Sequence, residues 1–203
     1  MKHDSPIFTS LEICARAGGQ AIGLEAAGFE HLALVELEPK ACETLRLNRP
    51  QWKVIEGDVK DFSARAFTQQ VDLLAGGVPC PPFSMAGKQL GEYDDRDLFP
   101  EAIRLTEECQ PKAVMLENVR GLLSQKFKTY RSSILTAFHE LGYTVFWKVI
   151  QASDHGVFQL RPRAVLIALQ APYASFFAWP QPAPIAPPTV GELLYPAMRS
   201  QGW

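Results

Sequence analysis

Apolar residues fall along the chain in short blocks, separated by stretches in which they recur at helical intervals. Ile7 to Cys14 reads as a first strand, followed by the tight turn Ala15-Arg16-Ala17-Gly18-Gly19 and a helix from Gln20 to Ala27 closed by Gly28. His31 to Val35 is a second strand ending in an acid, Glu36. Pro39 opens the next helix, where a missing N–H is harmless, and Pro50 closes it. Lys53 to Ile55 forms a short third strand ending at Glu56-Gly57-Asp58, with a weaker helix over Ser63 to Thr68. Val71 to Ala75 is a buried fourth strand. Leu98 to Cys109 is helical, with Ala102, Ile103 and Cys109 on one face, and stops at Pro111. Ala113 to Leu116 is a fifth strand, and Tyr130, Ile134, Leu135, Phe138 and Leu141 share one face of a further helix capped by Gly142. Tyr143 to Ile150 and Ala164 to Leu169 leave no room for a helix between them, so they pair antiparallel at an edge. This alternation predicts a three-layer α/β fold, a mostly parallel sheet with helices on both faces and an antiparallel edge strand.

From Ala171 the pattern changes. Seven of the sixteen prolines lie between Pro172 and Pro196, and only Val190 to Tyr195 is read as a helical turn. The division expected is a domain over 1–170 and a proline-rich linker over 171–203. The stretch from Met85 to Arg96 is polar and contains glycine, as a mobile loop would be.

Composition narrows the class. Apolar content is 47%, charged content 21% and net charge −2, so no global basic field marks a large nucleic-acid face, although a local one is compatible. The four cysteines show no CxxC spacing, which fits free thiols in a reducing cytoplasm. The N-terminus has no apolar signal core, and no apolar run reaches a membrane span. His3, His31 and His139 show no metal spacing, and Asp154-His155-Gly156 reads as a structural loop.

The chemistry gathers at strand ends. Gly76-Gly77-Val78-Pro79-Cys80-Pro81-Pro82-Phe83-Ser84 follows the fourth strand, and prolines stiffen it. A cysteine there is a candidate nucleophile, or simply a small apolar residue in a turn. Gly18 and Gly19 let a ligand approach the backbone near a helix N-terminus. Glu36 suits a ribose diol and Asp58 an adenine amine, which together describe an adenosine-containing cofactor; the alternative is that both are solvated loop acids. Glu117 follows the fifth strand, at the same sheet edge as Cys80, where a partly desolvated carboxyl would be easier to protonate and could donate a hydrogen bond. Arg161 and Arg163 alternate around Pro162 and point the same way, suiting a phosphate or a pyrimidine carbonyl.

These residues, in this order, resemble the DNA cytosine-5 methyltransferases over nearly the whole chain. Leu11-Glu12-Ile13-Cys14-Ala15-Arg16-Ala17-Gly18-Gly19 looks like the S-adenosylmethionine turn, and Glu36 and Gly57-Asp58 like the ribose and adenine acids. Gly77-Val78-Pro79-Cys80 looks like the nucleophile loop. Asp95-Arg96-Asp97-Leu98-Phe99, Glu117-Asn118-Val119 and Gln159-Leu160-Arg161-Pro162-Arg163 match three further family motifs. The resemblance implies a Rossmann-like methyltransferase sheet binding S-adenosylmethionine, with Cys14, Ala15, Gly18, Gly19, Glu36, Leu37, Asp58, Val59, Pro79 and Leu98 around the cofactor. It implies that the Cys80 thiolate adds to C6 of a cytosine flipped out of DNA, that Glu117 hydrogen-bonds N3, and that C5 then takes the sulfonium methyl. Arg163 and Arg161 would hold the base and backbone, Ser84, Asn118 and Gln159 would contact substrate, and the loop from Met85 to Arg96 would close over the base.

Two departures stand out. The family turn has glycine where this chain has Arg16, which is expected to weaken cofactor binding unless the arginine swings out to meet the cofactor carboxylate. The family continues into a target-recognition domain and a final motif that packs a helix on the sheet, so either a second chain supplies the rest or the product is truncated. Little sequence specificity and an exposed apolar sheet face are then expected. The same chemistry on RNA, and an inactive binding or regulatory subunit, remain alternatives.

Overall fold

In the computed structural model, residues 8–79, 97–184 and 188–202 are described. Seven strands form one sheet in the order β3-β2-β1-β4-β5-β7-β6: β1 Phe8–Ile13, β2 Phe29–Glu36, β3 Val54–Glu56, β4 Leu73–Gly76, β5 Ala113–Val119, β6 Tyr143–Gln151 and β7 Pro162–Gln170. The pairs β3–β2, β2–β1, β1–β4 and β4–β5 are parallel, whereas β7 lies antiparallel to both β5 and β6. The final hairpin therefore closes this edge with one reversed strand, as the missing crossover helix requires.

The helices α1 Gly19–Ala26 and α2 Pro39–Asn48 follow β1 and β2; α3 Phe99–Cys109 and α4 Lys128–Glu140 flank β5. Strand order reverses between β1 and β4, so right-handed crossovers place the two pairs on opposite faces. The packing agrees. Leu11, Ile13, Leu74, Val114, Leu116 and Leu166 bury against Phe99, Ala102 and Leu105 of α3 and Ile134 and Phe138 of α4. On the other face Ala21 and Leu45 pack with Leu34 and Trp52, and Leu24 with Leu73 and Ala75. Beyond that second cluster, Met115 on β5 and Val165, Ile167 and Leu169 on β7 are only half-buried.

Two stretches differ from the sequence reading. The expected helix over Ser63 to Thr68 shrinks to a 3-10 turn, Arg65–Phe67. The single turn expected at Val190 is an eleven-residue helix. It is numbered α6 (Val190–Ser200), after a short α5 (Ala171–Ala174), and runs through Pro196. Thr189 and Glu192 form a reciprocal capping box at its start, which outweighs the one backbone donor that Pro196 removes.

Candidate active site at the switch point

The site lies where the strand order reverses, outside the carboxyl ends of β1 and β4. There the two strands approach closely: a Cβ on Gly76 would lie 2.7 Å from Ile13 Cγ1 and 3.0 Å from the Ile13 carbonyl oxygen. The chain then turns sharply. Cys14, Arg16 and Gly18 have φ of 55°, 51° and 88°, and a Cβ on Gly18 would meet Leu45 Cδ2 at 2.7 Å. Left-handed backbone is easy for glycine but costs a residue with a side chain about 1–2 kcal/mol. Glu36 offsets part of that cost. Its buried carboxylate accepts the Arg16 N–H at 2.7 Å and the Glu38 N–H at 2.8 Å, tying the turn after β1 to the turn after β2.

Two cavities open on this turn. A narrow one of about 90 Å³ is lined by Cys14, Arg16, Val35, Glu36, Leu37, Gly57, Asp58, Val59, Pro79 and Leu98. Every one of the expected cofactor residues Cys14, Glu36, Leu37, Asp58, Val59, Pro79 and Leu98 is on this wall. A larger one of about 610 Å³ is lined by Glu12, Cys14, Ala15, Arg16, Gly19, Gln20, Gly77, Met115, Glu117, Arg161 and Val165. Ala15 and Gly19 belong here, whereas buried Gly18 lines neither cavity and serves the turn. The Cys14 thiol is inert: burial, then the neighbouring Glu36 carboxylate, push it up to about 12.

Glu117, on the wall of the larger cavity, has its Oε1 2.5 Å from Arg163 Nε. The pair is diagonal across β5 and β7, where Val119 is opposite Arg163 and Glu117 opposite Val165, so both side chains leave the same face. A guanidinium, rather than an apolar wall, thus orients this half-buried carboxyl. Arg161 lines the same cavity. Asn118, one residue on, faces the other way. It is buried, donates to the Val78 carbonyl at 2.9 Å and accepts the Val119 N–H at 2.8 Å, so it braces the chain entering the cysteine loop and lines neither cavity. Gln159 is exposed and lines a separate groove with Val157, Leu160 and Thr189, away from Glu117. Alternation along β5 turns Asn118 inward, and Gln159 precedes the start of β7, so the two expected substrate-contacting residues lie apart from Glu117 and from each other. Cys80, Ser84 and the stretch from Met85 to Arg96 lie outside the described residues.

Glu12 and Gln20 were not anticipated. Glu12 is fully buried near the end of β1, and burial pushes its carboxyl up to about 8. Its Oε2 and the Gln20 Nε2 are buried without hydrogen-bond partners among the described residues, and both residues line the larger cavity. The available signal was a lone acid inside the apolar run Leu11-Glu12-Ile13. An unpaired acid and an unpaired amide donor facing one cavity suit a ligand carrying both ammonium and carboxylate.

The model of the C-5 cytosine-specific DNA methylase family matches residues 8–195. The chain belongs to that family. It is 62% identical over 196 residues to the Type II methyltransferase M.NgoMIV of Neisseria gonorrhoeae, covering 97% of this chain and 62% of the relative. It is 53% identical over 195 residues to the Type II methyltransferase M.NaeI of Lentzea aerocolonigenes, covering 95% of this chain and 47% of the relative. The chain therefore spans about half to two thirds of the length of these methyltransferases. Among solved structures, an Escherichia coli prophage-encoded protein described as a DNA modification methyltransferase superposes with a TM-score of 0.75 at 25% identity, over 93% of this chain and 54% of that one. DNMT2 of Spodoptera frugiperda shares the fold, with a TM-score of 0.68 at 20% identity over 90% of this chain and 55% of that one. Among the described residues of this family member, no helix is long and apolar enough to cross a membrane.

Proposed function

We propose that this methylase-family chain transfers a methyl group from S-adenosylmethionine to C5 of a cytosine flipped out of DNA. The observation that carries the reading is the Glu117–Arg163 pair, opening on a cavity that meets the Glu36–Asp58 cavity at the turn after β1. When bound, the cofactor supplies an electrophilic methyl on a sulfonium sulfur. Glu36 and Asp58 would take the adenosine half, since each keeps acceptor capacity facing the narrow cavity. Glu12 and Gln20 would take the amino-acid half.

Cys80 is the nucleophile in this reading. Its sulfur adds to C6 and pushes the electron pair of the C5–C6 bond toward C5; loss of the C5 proton later expels the thiolate and restores the ring. Glu117, held by Arg163, faces the base edge and hydrogen-bonds N3, which makes the addition easier. Arg161 contributes a cation on the approach to the same cavity. The Asn118 bond to Val78 fixes the start of the loop, two residues before Cys80. An RNA substrate is not favoured, because the family is described as one of DNA methylases and the prophage-encoded neighbour as a DNA modification methyltransferase.

The test is transfer of labelled methyl to duplex DNA, with a 5-fluorocytosine duplex to trap the covalent adduct. Cys80→Ser is expected to abolish both label and adduct, and Glu117→Gln to slow transfer at least about 100-fold. Equal transfer by Cys80→Ser would refute the mechanism. Transfer to transcribed tRNA but not to DNA would move the reading to RNA.

A further inference from the structure

His31 on β2 has no metal spacing in the sequence, yet its ring joins three parts of the structure beneath the candidate site. Its Nε2 lies 3.0 Å from the Ala21 carbonyl oxygen on α1, and its Nδ1 lies 2.7 Å from the Ser10 hydroxyl on β1. A carbonyl can only accept, so Nε2 carries the hydrogen and a bare Nδ1 accepts the Ser10 O–H. The ring also meets Trp52 edge-on, with centroids 4.9 Å apart. Trp52 in turn lies against Gly18, where an added Cβ would be 3.3 Å from its Cζ3. Ala21 directly follows Gly19 and Gln20, which line the larger cavity. One imidazole thus supports both the turn after β1, through Trp52, and the first turn of α1, through Ala21.

We propose that His31 is a positioning residue for the cofactor turn, and that protonating its ring loosens the turn and weakens cofactor binding; this rests on the cofactor reading above. A protonated imidazole is a donor at both nitrogens. The new Nδ1–H would face the Ser10 hydroxyl, which must reverse and aim its own hydrogen elsewhere in a site closed to water, because Ser10 is fully buried. The cation would also share Trp52 with the Arg49 guanidinium, which lies 5.6 Å from the indole centroid. Among the charged groups around the ring, Glu25 on α1 favours the cation, but that carboxylate is paired with Arg49 at 2.9 Å. Glu12, further along β1, is uncharged when His31 titrates, since burial pushes its carboxyl up to about 8. Burial of the imidazole is the largest influence and holds it below the ordinary 6.5, against the pull of the Ala21 bond and Glu25. The folded chain therefore holds its proton at His31 less tightly than the unfolded chain. The support is fully present above about pH 6.5 and is lost as pH falls below it.

The experiment is calorimetric titration of the 203-residue chain with S-adenosylmethionine between about pH 7.5 and 5.5, beside His31→Gln and His31→Leu. The Gln amide keeps one acceptor and one donor but has no proton to gain, so it also corrects for titration of the ligand and of every other group. Hydrogen exchange over residues 14–24, without ligand and at the same pH values, reads the turn itself. His31→Gln is expected to bind like the unaltered chain at the upper pH. On acidification the unaltered chain should lose at least about fivefold more affinity than His31→Gln, and its exchange over 14–24 should rise while that of His31→Gln does not. His31→Leu, if folded by circular dichroism, should bind weakly and exchange fast throughout. The same pH dependence in His31→Gln and the unaltered chain overturns the proposal, and so does a folded His31→Leu that binds as tightly as the unaltered chain. Exchange that ignores His31 while the cofactor binds sinks the proposal alone. Exchange that follows His31, with no cofactor bound by any chain at any pH, sinks the cofactor reading and the claim on binding with it.

Discussion

Glu12 is where folding and ligand binding make opposed demands on one side chain. Burial raises its carboxyl from the ordinary 4.5 to about 8, so the folded chain keeps a proton there that the unfolded chain gives up. Between pH 4.5 and 8 the unfolded state binds fewer protons, and stability falls as pH rises through that window. The cost at pH 7 is of order 3 kcal/mol. Glu12→Gln keeps the shape and removes the ionisation. It is expected to raise unfolding stability by about 2–3 kcal/mol at pH 7 and by nothing at about pH 4, read as the midpoint of urea unfolding at each pH, while weakening cofactor binding. Equal gains at both pH values would show that desolvation is not the cause. Asn118 poses the opposite case, a buried polar group with its bonds made. Asn118→Ala leaves the Val78 carbonyl without its donor, and should cost about 1–3 kcal/mol and slow methyl transfer while leaving the cofactor Kd unchanged.

At the scale of elements, α3 does more than cover the sheet. Arg104 on it donates to the carbonyls of Val59 and Phe62, at 3.0 and 2.9 Å, and pairs with Glu101 and Glu108. Glu108 accepts the Ala64 N–H at 2.7 Å and the Ser63 hydroxyl at 2.9 Å; burial works against its charge, yet these bonds and Arg104 hold the carboxyl below its usual range. Helix α3 thus anchors the segment that carries Asp58 and Val59. Arg104→Ala is expected to lower stability by about 2 kcal/mol and to weaken S-adenosylmethionine binding several-fold, measured by thermal unfolding and titration. Retained affinity with lost stability would confine Arg104 to a structural role. The bonds from Arg104 to the Val59 and Phe62 carbonyls were not legible in the sequence, because they join a side chain to backbone more than forty residues away. The elements themselves were legible where apolar periodicity is strong, as in β1, β4 and α4. Helix α6 was foreshortened because Pro196 reads as a breaker, while its capping box is a local signal that carries further. Glu36, Asp58 and Glu117 stood out as candidates because each follows an apolar run in the sequence. Glu12 was not, because it sits within one.

Over the whole molecule, charge is unevenly placed. Net charge is −2, yet the segment 118–139 contains Arg120, Lys126, Lys128 and Arg131 and no acid. Arg131 is committed to the carbonyls of Leu122 and Ser124, where it closes the turns after β5. Arg120, Lys126 and Lys128 are exposed and make no ion pair among the described residues. The segment leaves β5 at its carboxyl end, the end of the sheet at which Glu117 lies. On the proposed reading, a duplex presenting a flipped base to Glu117 would lay its backbone along this end of the sheet. Pairing of these cations with phosphates would position DNA without reading sequence, and each pairing would release counterions. Replacing Lys126 and Lys128 together by Gln is therefore expected to weaken DNA binding alike on unrelated sequences. The log–log salt slope should fall by about 0.9 for each phosphate no longer neutralised, measured by fluorescence anisotropy across a salt series. Cofactor affinity and unfolding stability should not move, since neither lysine lines the cavities or belongs to the core. A salt slope unchanged in the double variant would place the duplex on another face of the sheet.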